Sequence, residues 1–171
     1  MKHIKFLFLL LAFVFLATSN VQAKPFDGKI GFVDLSRVFN EYKKTKEYDA
    51  VLEKENTAFQ EERNKMIDKI RDAQSKLALL KEEEKKKLQD DIDKQKAALL
   101  DFSRAKSTDL TKKRDEKIRE ILLEIEKIVS DYSKKEGYTF VLNDRVLIFG
   151  EQQMNITETV VKMLNDNYKG K

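Results

Sequence analysis

Glu82, Glu83 and Glu84, followed closely by Asp90, Asp91 and Asp93, are the densest set of side chains here that could do acid–base or metal chemistry. A glycosidase-type reaction needs two carboxyls held in one pocket. A calcium or magnesium ion needs several oxygens converging on one point. Neither arrangement is on offer, because consecutive acids on a helix fan around its axis. No loop has the Gly-punctuated ligand spacing of an EF-hand. The glycines, at positions 28, 31, 137, 150 and 170, make no GxGxxG or GK[ST] pattern, so no nucleotide phosphate is cradled. Asn155-Ile156-Thr157 spells a glycosylation sequon, but it coincides with an expected helix start, for which a threonine cap is reason enough.

Cysteine and tryptophan are absent, and the one histidine is His3. Residues 1–23, MKHIKFLFLLLAFVFLATSNVQA, carry a basic start at Lys2 and Lys5, an apolar run from Ile4 to Ala17 and small residues at Val21 and Ala23. That is the layout of a secretory signal cleaved after Ala23. A retained anchor would need roughly 20 apolar residues, more than this run supplies. With no cysteine after the run, a lipoprotein anchor is excluded. The mature chain is therefore expected to be exported and to lack His, Cys and Trp altogether. Thiol nucleophiles, Cys/His zinc sites and Ser-His-Asp triads are then impossible, and no catalytic, cofactor or metal site is expected. Disulfides cannot staple the fold, although an exported compartment would allow them.

The formal net charge is +4, from 34 basic and 30 acidic residues. Two of the basic ones lie in the signal, so the mature surface is nearly neutral and densely charged. Acids and bases alternate over most of it, whereas a nucleic-acid binder gathers its bases into one patch. No nucleic-acid partner is expected.

The elements that hold these residues follow from the breakers. From Lys44 to Glu136 there is neither glycine nor proline, in a stretch rich in Glu, Lys, Leu, Ala, Arg and Gln. Such a stretch reads as long helix. Before it, Pro25 and Gly28 mark a loop, KIGFVDL suits a buried strand, and Ser36 can cap a short helix, RVFNEY. Thr45 is a candidate cap for the long helix. After it, Gly137 is placed to end the helix in a left-handed conformation. YTFVL and RVLIFG then read as two strands separated by Asn143 and Asp144. Thr157 caps a last helix, with Ile156 and Val161 at staple spacing. Residues 24–43 and 137–171 thus form one small body of three strands and two helices. At about 55 residues, without disulfide or metal, such a body is marginal alone, and oligomerisation is the simplest remedy.

If the two flanks share a sheet, the insert at 44–136 must leave the body and return. A hairpin of antiparallel helices does so; one straight helix, about 135 Å long, does not. The reversal is expected near Lys81 to Lys87, where the apolar spacing lapses between Leu80 and Leu88. On the outgoing arm Leu52, Phe59, Met66, Ala73 and Leu80 recur every seven residues, but Glu55, Glu62 and Lys69 interrupt their seam. On the return arm Leu88, Leu99, Leu110, Ile121 and Tyr132 recur every eleven, so the two arms do not make one regular coiled coil. Ile118, Ile121, Leu122, Leu123, Ile125, Ile128 and Val129 crowd the base on more than one face. The pattern predicts a firm base and loosely held outer arms.

KIGFVDLSRVFNEYKKTKEY resembles the opening of the Skp/OmpH family of periplasmic chaperones, and YTFVLNDRVLIFGEQQMNITETVVKMLN resembles its close. The charged insert matches in length, composition and position. Lys43 stands where many members carry proline, and Asn155 where an acid is common. The resemblance implies an α+β homotrimer, in which strands of three bodies form a central β-barrel-like core and three helical hairpins project as tentacles around a cavity. It implies a non-enzymatic, ATP-independent holdase for unfolded outer-membrane proteins. Candidates for client contact are Phe59, Met66, Leu77, Leu88, Leu99 and Phe102, for any one of which the plainer reading is that it only holds helix to helix. Candidates for contact between copies are Ile30, Phe32, Val33, Phe140, Leu142, Val146, Ile148 and Phe149, for which the alternative is the body's own core. Transient contact with a membrane surface or lipopolysaccharide is also implied, though the mixed charges offer no matching cluster. The rival reading is a coiled-coil scaffold or adaptor of the periplasm, which would want a more continuous apolar seam.

Overall fold

The computed structural model describes residues 27–170. The signal expected at residues 1–23 lies outside them. Among the described residues no helix is long and apolar enough to cross a membrane.

The first strand, β1 (Lys29–Val33), leads into a short helix, α1 (Leu35–Glu41). Asp34, not Ser36, caps α1: its Oδ1 accepts a 2.8 Å hydrogen bond from the Arg37 amide. Ser36 is already inside the helix, and its hydroxyl accepts from the Arg145 guanidinium. One extended residue, Tyr42 (φ −68°, ψ 125°), separates α1 from the outgoing arm helix α2 (Lys43–Leu77). Thr45 is therefore within the first turn of α2, buried, and does not cap it.

The chain reverses at residues 78–81, on the leucine side of the charged stretch in which the reversal was expected. The return helix α3 (Glu82–Glu136) then starts on the acids themselves. Glu82, Glu83 and Glu84 occupy its first turn, where the helix dipole favours negative charge, and the Glu84 carboxylate accepts from the Lys81 amide. At about 1.5 Å per residue, α2 and α3 are roughly 52 and 82 Å long, so α3 overruns the start of α2 and passes through the body. Gly137 ends it at φ 74°, ψ 26° and turns the chain straight into β2 (Tyr138–Asn143).

β1 and β2 pair in parallel, with Ile30 opposite Phe140 and Phe32 opposite Leu142. The alternation puts Gly31, Val33 and Val141 on the face against the helices, and Ile30, Phe32, Phe140 and Leu142 on the other. On its far side β1 is bridged by Asn155, and the Ile156 amide donates to the Phe32 carbonyl at 2.9 Å. The third expected strand is absent. Asn143 Oδ1 takes the Arg145 amide, and residues 144–146 close a 3₁₀ turn instead. A strand needs a neighbouring edge to pair with, and the described residues bring none alongside RVLIFG. A second 3₁₀ turn, Gln152–Met154, leads to α4 (Thr157–Asn167). Thr157 is the first residue of α4 and not its cap. Asn155 accepts from the Thr157 amide, and the Thr157 hydroxyl accepts from the Asp34 amide, tying the end of β1 to the start of α4.

The core lies where α1, α4 and the base of α3 meet. Val38, Ile121, Ile125, Val160 and Leu164 are at its centre, with Val33 from the sheet.

A Cβ on Gly31 would stand 2.7 Å from the Tyr138 ring and 3.3 Å from the Met154 carbonyl oxygen. Gly31→Ala should therefore cost about 1–3 kcal/mol by overpacking. Gly137→Ala meets nothing within 4 Å, and should cost only about 1 kcal/mol for its left-handed backbone. Urea unfolding at one fixed protein concentration would rank the two; the reverse order would contradict the packing described.

Candidate functional site

The arm's two helices touch along a seam with few apolar contacts. Nearest the body, Ile121 and Ile125 are buried. Further out, the Phe59 and Phe102 rings meet across the hairpin with centroids 5.7 Å apart. Beyond them Ile70 and Ile92 are buried in the outer half of the arm. Beside these points the seam opens. A groove of about 420 Å³ is lined by Leu52, Asn56, Leu110 and Arg114 among others, and one of about 570 Å³ by Met66, Ala73, Leu88 and Gln95 with charged neighbours. Lys113 reaches across to Glu55 at 2.9 Å. Ion pairs within one helix, such as Lys127 with Asp131 and Lys85 with Glu82, decorate the exposed faces. Such surface pairs contribute little each.

All six sequence-derived candidates for client contact lie half-buried along this arm. Phe59 and Phe102 pack on each other; Met66 and Leu88 line one groove. The arm's exposed large apolar residues are others: Val51, Leu79, Leu100, Ile118, Leu122 and Leu123. The sequence held a signal for the last three, since the base of α3 is apolar on more than one face. Ile121 and Ile125 use the inner face, and the remainder are left outside. Leu123 closes one end of a shallow groove of about 860 Å³ that runs along α3 from Ser107, with Lys112, Glu116 and Arg119 on its walls.

The body presents a second surface. Ile30, Phe140 and Leu142 are exposed on the outer sheet face, and Phe32 is half-buried there. The Phe32 ring is covered by the chain at Gly150, where a Cβ would come within 2.7 Å of it. Val146 is exposed, Ile148 fully so at 107%, and Phe149 at 81%. Val33 alone of the eight candidates for contact between copies is elsewhere. At 3% exposure it belongs to the chain's own core, because it alternates onto the helix-facing side of β1.

At the arm's root a polar clasp joins the start of α2 to α3. The Lys44 ammonium donates to Glu120 at 2.6 Å and to Glu124, and the Tyr42 hydroxyl donates to Glu124 at 2.9 Å. Lys117 binds the other oxygen of Glu120. Hydrogen bonds from Lys117 and then Lys44 pull the Glu120 carboxyl down to about 2. Burial pushes Lys44 down, but its bonds to Glu120 and Glu124 outweigh that and hold it above the ordinary lysine range. Burial, followed by the bond to Glu124, pushes the Tyr42 phenol up to about 12. Among the described residues no three His, Cys, Asp or Glu side chains converge as a metal site would require.

The family model for OmpH-like outer membrane proteins matches residues 29–164, from the first residue of β1 into α4. A chaperone protein Skp of Yersinia enterocolitica is 25% identical over 152 residues, spanning 86% of this chain and 90% of that one. The crystal structure of an OmpH-like protein from Caulobacter crescentus superposes with a TM-score of 0.72, covering 84% of this chain and 88% of the other. At 13% identity that likeness speaks for the fold alone.

The clasp fixes a pH window. Glu120 is depressed from 4.5 to about 2, so its contribution is complete above the unfolded value and is lost as pH falls toward 2. Tyr42 is raised from 10.0 to about 12, and Lys44 is raised too, so their contribution is lost as pH climbs from about 10 through about 12. Thermal midpoints should be flat between about pH 5 and 9 and fall on either side. Glu120→Gln should flatten part of the acid limb and leave the alkaline limb in place. An acid limb identical to that of the wild type would show that the clasp does not contribute.

Proposed function

The chain belongs to the OmpH-like family of chaperones, and we propose that it is an ATP-independent holdase of the periplasm. In this reading it is exported by a signal cleaved after Ala23. It binds unfolded outer-membrane β-barrel proteins between the helical arms of a homotrimer and keeps them from aggregating before insertion. The observation that carries the reading is the arm's interrupted seam. A hairpin built to be rigid would fill its seam with continuous apolar layers. Here the contact of Phe59 with Phe102, and the buried Ile70 and Ile92 further out, are flanked by grooves with charged walls, and leucines are left outside. Such a surface offers many weak apolar contacts among mixed charges, which suits a client with no fixed shape. Leu100, Ile118, Leu122 and Leu123 are the contacts available without any rearrangement. Phe59, Met66, Leu77, Leu88, Leu99 and Phe102 add to them where the seam parts. Contact with a membrane surface or lipopolysaccharide has no support beyond the resemblance, since the ion pairs along the arm leave no segregated basic patch.

The trimer is supported by the body's outer face. Strands apolar on both sides belong in the interior. Ile30, Phe32 and Leu142, with Val146, Ile148 and Phe149 beside them, are the surface that two further copies would cover. The run from Arg145 to Gly150 would find its strand partner on a neighbouring copy. The third expected strand would then be a property of the assembly. The scaffold reading finds less support, because the gapped seam gives the arm little rigidity to transmit force.

Two measurements test this. Dilution of a urea-denatured outer-membrane β-barrel protein into buffer without ATP should scatter light, and equimolar trimer should suppress the scattering. Replacing Leu100, Leu122 and Leu123 together by serine should weaken the suppression several-fold at unchanged trimer mass, whereas a wild-type trimer that leaves aggregation untouched would refute the holdase. Ile148→Asp with Phe149→Asp should shift the mass by light scattering from trimer toward monomer at micromolar concentration. A trimer that survives both charges would remove this face from the interface.

A further inference from the structure

The break between α1 and α2 is one residue long, and a single side chain from the far end of the chain closes it. A helix start leaves amides without partners, and Tyr42 supplies no side-chain cap. Asn165, on α4, does so instead. Its Oδ1 accepts from the Lys43 amide at 2.8 Å, and its Nδ2 donates to the Glu41 carbonyl oxygen at 3.2 Å. One amide thus satisfies the last carbonyl of α1 and the first amide of α2. That double task needs a donor and an acceptor on one short neutral side chain, which asparagine has and aspartate lacks. Just past the end of α4, the Tyr168 ring stands edge-on to Tyr42 with centroids 5.7 Å apart, and its hydroxyl donates to Glu47 at 2.8 Å.

We propose that Asn165 is a positioning residue for the arm: it latches the root of α2 to the body and so sets how α2 lies along α3. The reason lies in the unequal attachment of the two helices. α3 runs unbroken from Glu82 to Glu136 and is anchored by Ile121 and Ile125 in the core. α2 enters the body only through the Tyr42 break, and beyond its first turns it meets the open seam at Leu52 and Leu110. At its root, besides the burial of Tyr42 and Thr45, two polar grips hold it. One is the Lys44 clasp toward α3; the other is Asn165 with Tyr168 toward α4. A reorientation of about 10° at Tyr42 would displace the far end of a 52 Å helix by about 9 Å and Phe59, about 24 Å along it, by about 4 Å, enough to part Phe59 from Phe102. The consequence for client capacity rests on the holdase reading; the placement of α2 does not.

The chain has no cysteine, so Gln60→Cys and Arg104→Cys, one exposed on each arm helix, take a spin-label pair cleanly. Doubly labelled chains are assembled with excess unlabelled chain, and the label-to-label distance distribution is read by pulsed electron resonance. Loss of one cap is expected to raise the population of the undocked root about five-fold, seen as a broadened distribution. Asn165→Asp and Asn165→Ala should both show it, because aspartate keeps the acceptor and loses the donor. Val160→Ala, which weakens the body's core without touching the latch, is the control and should leave the distribution as in the wild type. An unchanged distribution in both Asn165 variants overturns the proposal, and so does equal broadening in Val160→Ala. Light-scattering assays on the same samples separate the two readings. A wild type that fails to suppress aggregation refutes the holdase, while the distances decide the latch.

Discussion

β1 and β2 lie parallel, side by side, although the whole arm comes between them in sequence. A parallel pair cannot be joined by a tight turn; the chain must cross over and enter the sheet again from the same end. Here the crossover is the hairpin. Because loop-closure entropy grows only slowly with length, an insertion of this size adds little to the cost of pairing the strands. Helices let the insertion satisfy its own backbone far from any sheet. The return helix has to be the longer one, since it must reach back past the root of α2 to hand the chain to β2 through Gly137. In passing, it supplies Ile121 and Ile125 to the core. The body is thus completed by the arm's base, and α3 is a strut common to both.

The same pairing explains what could be read from sequence and what could not. The absence of Gly and Pro from 44 to 136, flanked by strand-like runs, is enough to require an outgoing and a returning helix. Gly137 is legible because a left-handed helix end favours a residue without a Cβ. The caps depart from the local pattern for a shared reason. Ser36, Thr45 and Thr157 are good caps locally, but Asp34, Asn165 and Asn155 hold the positions from which the starting amides can be reached. Asn165 is over a hundred residues from the amide it serves, and no local pattern records that. RVLIFG has strand composition without a strand partner, so pattern alone could not say whether it pairs within the chain.

Exposure along the arm is not fixed by the local sequence pattern. A leucine on a charged helix can face the other helix or the solvent, and a half-apolar seam leaves both open. Leu99 and Leu100 are neighbours in sequence; one is half-buried and the other exposed. At the base the crowding of apolar residues around α3 exceeds what one face can bury, and that excess is legible. Ile118, Leu122 and Leu123 are the part of it that the core does not use.

A side chain such as Leu100, already half covered, can gain only about 1 kcal/mol from a client. No single contact of that size would hold an unfolded chain. Several on each arm of the proposed trimer would, because once one is made the rest form at high effective concentration. Binding of this kind is broad and easily lost contact by contact. It also supplies its own release on the holdase reading. A barrel protein that turns its apolar residues toward lipid withdraws them from every arm at once, so the client leaves when it has somewhere better to bury them, and no nucleotide is required. On that reading the gapped seam serves the same end: an arm that packed its leucines fully against itself would be more stable and would have nothing left to offer.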